Sequence, residues 1–284
     1  MIHFSRFWLV AAVMALLGCT SGPSPSNPSD SLYISQLRQL LPADAILMGE
    51  QHDAPDHQRL HRMVVETLAT QQTLAALALE MASQGSSTAA LKPDATEDQV
   101  RTALHWDLEA WPWPAYGPAV MAAVRAGVPV LGANLPATRL REAMANTGLD
   151  SLLPGPALKA QQQKIRLGHC DLLPESQISP MTRVQIARDI SMAQTIALAA
   201  RPGKTVVLLT GNGHADRRLG VPQHLPPGFK VKTVLLGAEQ AQSAIENTAE
   251  FDQTWPAKPA PPVDYCANFT AQQARQPPAT IQKQ

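Results

Sequence analysis

The sequence has no excess of charge of either sign. Its 284 residues include 23 Lys or Arg and 23 Asp or Glu, so the formal net charge at pH 7 is zero. Proteins that bind nucleic acid through its phosphates carry a basic patch, and a polybasic segment holds a protein on anionic lipid. This chain shows no block of like charge, so we expect no nucleic-acid partner and no charge-driven grip on a membrane.

The sequence also has no apolar run long enough to cross a bilayer, which takes roughly 20 residues. Its N-terminal run, residues 7–17, follows Arg6 and leads into Leu16-Leu17-Gly18-Cys19. A short run after a basic residue is typical of a secretory signal peptide. The last four residues resemble a bacterial lipobox, which predicts cleavage after residue 18 and a lipid on Cys19. The alternative is a plain signal peptide with an incidental cysteine.

The segment after the signal peptide, residues 19–30, is rich in Ser and Pro and is expected to be a flexible tether. The residue after Cys19 is Thr20 rather than aspartate, which by resemblance to such lipoproteins favours the outer membrane. Besides Cys19 the chain has only Cys170 and Cys266. An exported protein meets an oxidising compartment, so these two either form a disulfide or remain buried thiols.

What the sequence does contain is a series of short apolar segments, each typical of a buried strand. The four clearest run over residues 45–49, 74–79, 128–132 and 205–209, and segments with helical spacing lie between them. Strands that alternate with helices predict an α/β fold with a mostly parallel central sheet flanked by helices. We expect a single domain over residues 31–250 and a Pro- and Gln-rich tail over 251–284.

Two long helical stretches, residues 84–127 and 154–200, exceed a simple strand-to-strand connection. We expect them to form a helical layer or lid over the carboxyl ends of the strands. In an open parallel sheet these ends line one crevice, where ligands bind. The sequence has no glycine pattern for a dinucleotide or a phosphate loop, so neither of those ligands is predicted.

Polar side chains follow the predicted strands at this edge of the sheet. They are Glu50, His52, Glu80, Asn134 and His214. Both histidines belong to a Gly-x-x-His pattern, Gly49-Glu50-Gln51-His52 and Gly211-Asn212-Gly213-His214. Imidazole is a common metal ligand, and carboxylates ligate metals or act as general bases. Glu50, His52, Glu80 and His214 therefore predict a divalent-metal site, for zinc or iron. The alternative is that the histidines bond to the backbone and hold the turns.

Three further residues are candidates for the same crevice. His57 and His61 share a helix face; we expect His61 on the surface, whereas His57 either enters the site or does not. Arg188 either binds a ligand carboxylate or forms a surface pair with Asp189. Tyr116 follows Trp111 and Trp113, and these aromatics either pack a core or form a flat apolar wall for a planar ligand. A phenolate is one of the known haem ligands, and Tyr116 is then the best placed tyrosine.

Taken together, these segments resemble the ChaN family of haem-binding lipoproteins, within a superfamily that includes Tiki-type proteases, TraB-like proteins and erythromycin-esterase-like enzymes. The resemblance runs over residues 40–237, and it depends on the order and spacing of several short motifs. They include Gly49-Glu50-Gln51-His52, Leu79-Glu80, Trp111-Pro112-Trp113, Gly132-Ala133-Asn134-Leu135-Pro136, Gln185 to Ala193 and Gly211-Asn212-Gly213-His214.

The resemblance implies an outer-membrane lipoprotein of the bacterial envelope that binds haem for iron or haem acquisition and dimerises around it. The residues expected to contact haem are Tyr116, His52, Glu50, Glu80, Asn134, Arg188, His214 and His57. The superfamily also implies an alternative, a metal-dependent hydrolase that uses Glu50, His52, Glu80 and His214. The haem-binding protein is the preferred hypothesis.

Overall fold

The structure, a computed structural model, describes residues 28–237, 250–258, 260, 262–267 and 270. Six strands lie in this part of the chain: β1 (Ala45–Glu50), β2 (Leu74–Ser83), β3 (Val130–Asn134), β4 (Thr205–Gly211), β5 (Val231–Gly237) and β6 (Gln253–Pro256). They form one sheet in the order β3-β2-β4-β1-β5-β6, and every neighbouring pair is parallel. The predicted α/β fold with a parallel central sheet is therefore confirmed.

Eight α-helices connect and cover the strands in the described residues. They are α1 (Pro28–Leu40), α2 (Pro55–Thr70), α3 (Glu97–Ala103), α4 (Trp113–Arg125), α5 (Leu140–Ala145), α6 (Gly155–Gly168), α7 (Glu175–Ala199) and α8 (Asn212–Ala215). Short 3₁₀ turns lie at Ala137–Arg139, Thr147–Ser151 and Val221–His224. None of the described helices combines the length and the apolar character that crossing a membrane requires.

The strands are continuously apolar because helices cover both faces of the sheet. In β1, Ile46 and Met48 point to the face where α2 and α4 pack. Ala45 and Leu47 point to the other face, where Met192 and its neighbours on α7 pack. The α7 face is rich in alanine, which lets this long helix approach the sheet closely. The result is a three-layer arrangement in which the carboxyl ends of the strands lie between α4 and α7.

Some element boundaries differ from the predicted ones. Strand β2 continues to Ser83, past its predicted end at residue 79, and β3 runs over Val130–Asn134 rather than 128–132. The helical stretch predicted over 84–127 is divided into α3 and α4, and His105 between them adopts a left-handed backbone conformation with φ of 49°. Pro118 lies inside α4 without ending it.

Strand β6 was not predicted at all, because its four residues lie where the sequence becomes rich in proline. It pairs with β5, and its Trp255 is fully buried in the core. Several other predictions fall outside the described residues. They are the signal peptide, Cys19, most of the tether and the tail beyond residue 270.

Candidate functional site

The register of the sheet brings the carboxylates of β1 and β2 together on either side of β4. Glu50 on β1 is in register with Gly211 on β4, and on the other side Leu79 is paired with Leu209. Glu80 Oε2 consequently accepts two hydrogen bonds from β4, at 2.7 Å from Thr210 Oγ1 and at 2.7 Å from the Gly211 backbone N–H. Both carboxylates are buried; Glu50 is the last residue of β1, whereas β2 continues three residues beyond Glu80 to Ser83.

His214 approaches Glu80 from the short helix α8. Its Nε2 lies 3.5 Å from Glu80 Oε1, and its Nδ1 lies 2.6 Å from Oδ1 of Asp189 on α7. Gln185, one helical turn earlier on α7, places its side-chain nitrogen 3.1 Å from the same Nδ1. We call Glu80, Asp189 and His214 the inner group, and all three side chains are buried.

Charge pairing dominates the inner group. Burial opposes a charge on His214, but Glu80 and Asp189 outweigh it and raise the pKa of the imidazole to about 10. Burial also opposes ionisation of Glu80, yet the imidazolium of His214 holds the pKa of that carboxyl well below its usual range. Burial prevails at Asp189 and raises its pKa to about 6. The main ion pair of the inner group is therefore Glu80 with His214.

A second group forms around Glu50. Its Oε1 accepts a hydrogen bond from the Tyr116 hydroxyl at 2.7 Å and lies 2.8 Å from His52 Nδ1. The other ring nitrogen of His52, Nε2, is 3.9 Å from Glu80 Oε1 and so links this group to the inner one. The His52 side chain is 39% exposed, whereas that of Glu50 is fully buried. Burial opposes a charge on His52, but the hydrogen bond to Glu50 raises its pKa above the usual value.

His61 also belongs to this second group, so its expected surface position is wrong. Its side chain is 1% exposed, and its Nδ1 lies 3.5 Å from Glu50 Oε2. His61 lies on the buried face of α2 beside Leu60 and Val64. Burial lowers its pKa to about 4, so the ring is neutral near pH 7. We call Glu50, His52, His61 and Tyr116 the outer group.

His57 holds the turn after β1. Its Nδ1 accepts a hydrogen bond from the backbone N–H of Gln51 at 3.0 Å. Burial lowers its pKa below the usual value, which favours the neutral ring that this acceptor role needs. The sequence left open whether His57 enters the site; its contact in the structure is with the backbone of the turn.

Tyr116 is buried in the core rather than exposed to solvent. It is 1% exposed and lies among Trp106, Trp111 and Trp113, with ring centroids 6.0 Å from Trp106 and from Trp111. Burial, and next the charge of Glu50, raise the pKa of its phenol well above the usual range. The phenol therefore stays protonated and donates to Glu50, and this arrangement disfavours a phenolate ligand at Tyr116.

In the described part of the chain, no hydrogen bond or ion pair joins the side chain of Asn134 or Arg188 to either group, although the charge of Arg188 acts on Asp189. Asn134 ends β3, which is two strands away from β4, and its buried Oδ1 has no hydrogen-bond partner among the described residues. Buried Arg188 Nε also lacks a partner within that part of the chain. Asp189, not Arg188, is the α7 charge that meets the site, since it shares a helix face with Gln185.

A C-terminal segment borders the site where His52 is exposed. The Tyr265 hydroxyl donates to the carboxylate of Asp53 and lies 3.4 Å from the Gln51 side-chain nitrogen, which donates to it. The next residue, Cys266, forms a disulfide with Cys170, 96 residues earlier in the chain. This settles the alternative that the sequence left open for the two cysteines. Sequence patterns give no signal that residue 265 lies next to residue 52, because only the folded chain brings them together.

Several side-chain oxygen and nitrogen atoms of the two groups are paired with each other, whereas Glu50 Oε2, Asp189 Oδ2 and both ring nitrogens of His61 have no hydrogen-bond partner among the described residues. Glu80 accepts from Thr210 and Gly211, while Glu50 pairs with Tyr116 and His52. Across the described residues, no group of three or more His, Cys, Asp or Glu side chains is arranged to hold a metal ion. The divalent-metal site expected from the sequence is thus not supported.

Known proteins resemble this chain in sequence and in fold. Residues 36–225, more than half of the chain, match the family model described as haem-binding uptake, Tiki superfamily, ChaN. A solved structure entitled "Cofacial heme binding to ChaN of Campylobacter jejuni" is 23% identical. The match covers 80% of this chain and 92% of that one, with a TM-score of 0.65, so the two share a fold.

Another solved structure, the type III effector HopBA1, is 17% identical over 84% of this chain and 97% of that one, with a TM-score of 0.43. No curated protein matches the sequence. The family match agrees with the strand-end motifs that the sequence displays and with the geometry that the sheet gives them. On this evidence the chain belongs to the ChaN family of haem-binding uptake proteins in the Tiki superfamily.

Proposed function

We propose that this protein is a haem-binding outer-membrane lipoprotein that serves iron or haem acquisition. Membership of a haem-binding family supports the ligand. The observation that carries the proposal is the partly exposed ring of His52, which is held on Nδ1 by the buried carboxylate of Glu50. Metal-ligating histidines commonly donate their other ring N–H to a carboxylate, which fixes the tautomer and makes the ring more basic.

The haem macrocycle fits the rim of the site rather than its interior. Polar atoms of the inner and outer groups lie only 2.6 to 3.9 Å from one another, so no flat ring enters between them. Around His52, by contrast, apolar surface is available. Trp111 packs edge-on against the His52 ring with a centroid distance of 4.9 Å. Exposed Leu108 lies three residues before Trp111 in the sequence. Three more exposed side chains, Leu172, Val263 and Tyr265, are close in sequence to the two cysteines of the Cys170–Cys266 bridge.

His52 is the residue that would hold the haem iron, with Trp111 against the edge of the imidazole. In an uptake protein haem is the cargo, and the iron supplies the bond to the protein. Glu50 orients His52 and balances any positive charge on it. Because His52 has a raised pKa, protons compete with haem for the ring, so binding is expected to weaken as the pH falls through that pKa.

A hemin titration followed by absorbance in the Soret region tests this proposal. We expect a saturable spectral shift with micromolar wild-type protein. His52→Ala is expected to weaken binding about tenfold or more, since an anchoring residue at the centre of a site carries much of the affinity. His105→Asn is the matched control, because His105 is exposed and lies outside both groups. The absence of a Soret shift with wild-type protein would reject the proposal.

The anchor and the assembly are further parts of the proposal. We propose that Cys19 carries the lipid, so Cys19→Ala should move the protein from the membrane to the soluble fraction of the envelope. The ChaN structure from Campylobacter jejuni is described as binding haem cofacially. In line with this, we propose that two copies of the present chain pair around haem. Light scattering should then give a doubled mass with hemin and a single mass without it.

A further inference from the structure

We propose that residues 262–267, which we call the C-terminal strap, form a wall of the haem site, with Tyr265 in contact with the ligand and the Cys170–Cys266 disulfide holding it in place. This inference rests on the proposed function, since it names a further binding residue of the same site and a disulfide that regulates ligand retention there. The strap lies beyond residues 36–225, so the family match does not cover it.

The position of the strap follows from its contacts. Tyr265 bonds to Asp53 and Gln51, the two residues on either side of His52. Slightly earlier in the chain, the backbone N–H of Lys258 donates to the Asp56 carboxylate at 2.9 Å, at the start of α2. The C-terminal segment therefore runs along the turn that carries His52.

The side chains of the strap suit a flat apolar ligand. Tyr265 is 52% exposed and Val263 is 43% exposed, although both are residues that usually seek burial. Trp111 meets His52 from the α4 side, while Tyr265 meets the flanking residues from the strap. One aromatic side chain thus contacts the partly exposed imidazole of His52, and a second, from a separate element, contacts the residues on either side of it; a planar ligand at His52 would lie between the two.

Non-covalent contacts alone hold the strap weakly. Its hydrogen bonds to Gln51 and Asp53 are exposed to solvent, where such bonds contribute little. Ordering several residues in one conformation costs conformational entropy. The disulfide joins Cys266, the neighbour of Tyr265, to Cys170 in the turn between α6 and α7. It is therefore the contact that keeps Tyr265 at the site.

Ligand retention then depends on the redox state of the bridge. A dithiol reductant supplies two electrons and two protons, becomes a disulfide itself, and leaves Cys170 and Cys266 as two thiols. The strap is then tethered only by its exposed hydrogen bonds, so Tyr265 leaves the site for part of the time. Haem bound against it should consequently dissociate faster.

Hemin dissociation into an excess of a haem acceptor protein tests the inference on the full protein. We expect the dissociation rate to rise about tenfold in Tyr265→Ala and in the double variant Cys170→Ser/Cys266→Ser. A dithiol should raise the rate of the wild type and leave that of the double variant unchanged. Leu198→Ala is the matched control, because Leu198 is an exposed apolar residue at the far end of α7. Equal hemin dissociation rates for the wild type and both variants would overturn the strap inference and leave the proposed function standing.

Hydrogen exchange of the haem-free protein gives a readout that does not depend on the ligand. Amides of the strap should exchange faster after reduction, whereas those of β1 should not change. If the wild type fails to bind hemin, the proposed function fails. If exchange of the strap is the same in oxidised and reduced protein, the disulfide does not hold Tyr265, and the strap inference fails even where hemin binds.

Discussion

The inner and outer groups begin from the same sequence pattern and end in different environments. Each contains a strand-end carboxylate and a Gly-x-x-His histidine, namely Glu80 with His214 and Glu50 with His52. Helix α7 covers His214, whose side chain is 7% exposed, whereas the His52 side chain is 39% exposed. The comparison teaches that the motif fixes where a histidine starts, and the element that packs over it decides whether it forms an internal ion pair or meets a ligand.

Two buried histidines show how the same burial gives opposite charge states. The pKa of His214 is raised to about 10, and that of His61 is lowered to about 4. Burial alone disfavours the imidazolium at both positions. His214 has two carboxylates close by, Glu80 and Asp189, while His61 has only Glu50 at 3.5 Å. The number of nearby carboxylates therefore decides the charge.

Removing the carboxylate of the inner group should have the largest effect on stability. Glu80→Ala leaves the donors of Thr210 and Gly211 without their acceptor and the His214 imidazolium with Asp189 as its one remaining partner in the inner group. We expect the free energy of unfolding to fall by about 3–5 kcal/mol, the usual effect of breaking a buried pair. Urea unfolding followed by tryptophan fluorescence measures it. Glu142→Ala, at an exposed carboxylate, should change it by less than about 0.5 kcal/mol. A similar small loss for Glu80→Ala would show that the inner pair does not stabilise the fold.

The inner group should also make stability depend on pH in the alkaline range. The folded pKa of His214 is about 10 and its unfolded value about 6.5. A raised pKa stabilises the fold fully below the unfolded value, and the contribution is lost as the pH rises from 6.5 to 10. The slope should reach at most about 1.4 kcal/mol per pH unit.

Urea unfolding at several pH values measures this slope, and His214→Gln supplies the control because it removes the titrating ring. Glu80 affects stability at acidic pH. Its pKa is lower in the folded protein than in the unfolded chain, so its stabilising contribution is lost as the pH falls below the unfolded pKa of about 4.3. A slope above pH 6.5 that survives in His214→Gln would assign the effect to another group.

In the outer group, Tyr116→Phe should have an intermediate effect. It removes the phenol that donates to Glu50 and leaves the ring in place. Hydrogen bonds to charged groups contribute about 1.5–3 kcal/mol, so a loss of that size is expected in thermal or urea unfolding. Tyr33→Phe is a matched comparison, because Tyr33 donates to the neutral carbonyl of Pro256 and should cost about 1 kcal/mol. If the two losses are equal, the charge on Glu50 does not strengthen the bond.

The smallest effect on stability should come from Gly211→Ala. A Cβ there would lie 3.0 Å from His52 Nε2, and the partly exposed His52 ring can move away from it. We expect the stability change to stay below about 1 kcal/mol, while hemin affinity falls because His52 is displaced. Gly213→Ala is the control, since its Cβ would meet open space. Equal hemin affinities for the two variants would contradict the placement of His52 in the ligand site.

The meeting of Glu50, Glu80 and His214 could be predicted from the sequence because each comes directly after an apolar run typical of a strand, or within a few residues of one, in a parallel sheet. Such strands end at one edge, whatever lies between them in the chain. The positions of His61 and Asp189 were harder to predict, although helical spacing offered a signal. His61 has the phase of Leu60 and Val64, and Asp189 that of Gln185; the polar character of both residues obscured the pattern.

Other features could not be predicted because no local pattern encodes them. The contact of Tyr265 with Asp53 and the choice of Cys170 as the partner of Cys266 depend on how the C-terminal segment returns to the start of the fold. Strand β6 depends on the same return, since its few residues form a strand only where β5 offers an edge. Long-range contacts of this kind involve sequence separations of 96 residues and more.

The strand order has a consequence for how the protein is made. Strand β4 lies between β2 and β1, so the last strand of the central three is inserted into the middle of the sheet rather than added at its edge. A nascent chain that ends before Thr205 already contains Glu50 and Glu80. It still lacks β4, the strand that lies between them and donates hydrogen bonds to Glu80. Such late, non-local pairing slows folding. Under the export proposed above, this delay gives time for translocation, which requires a chain that has not yet closed its sheet.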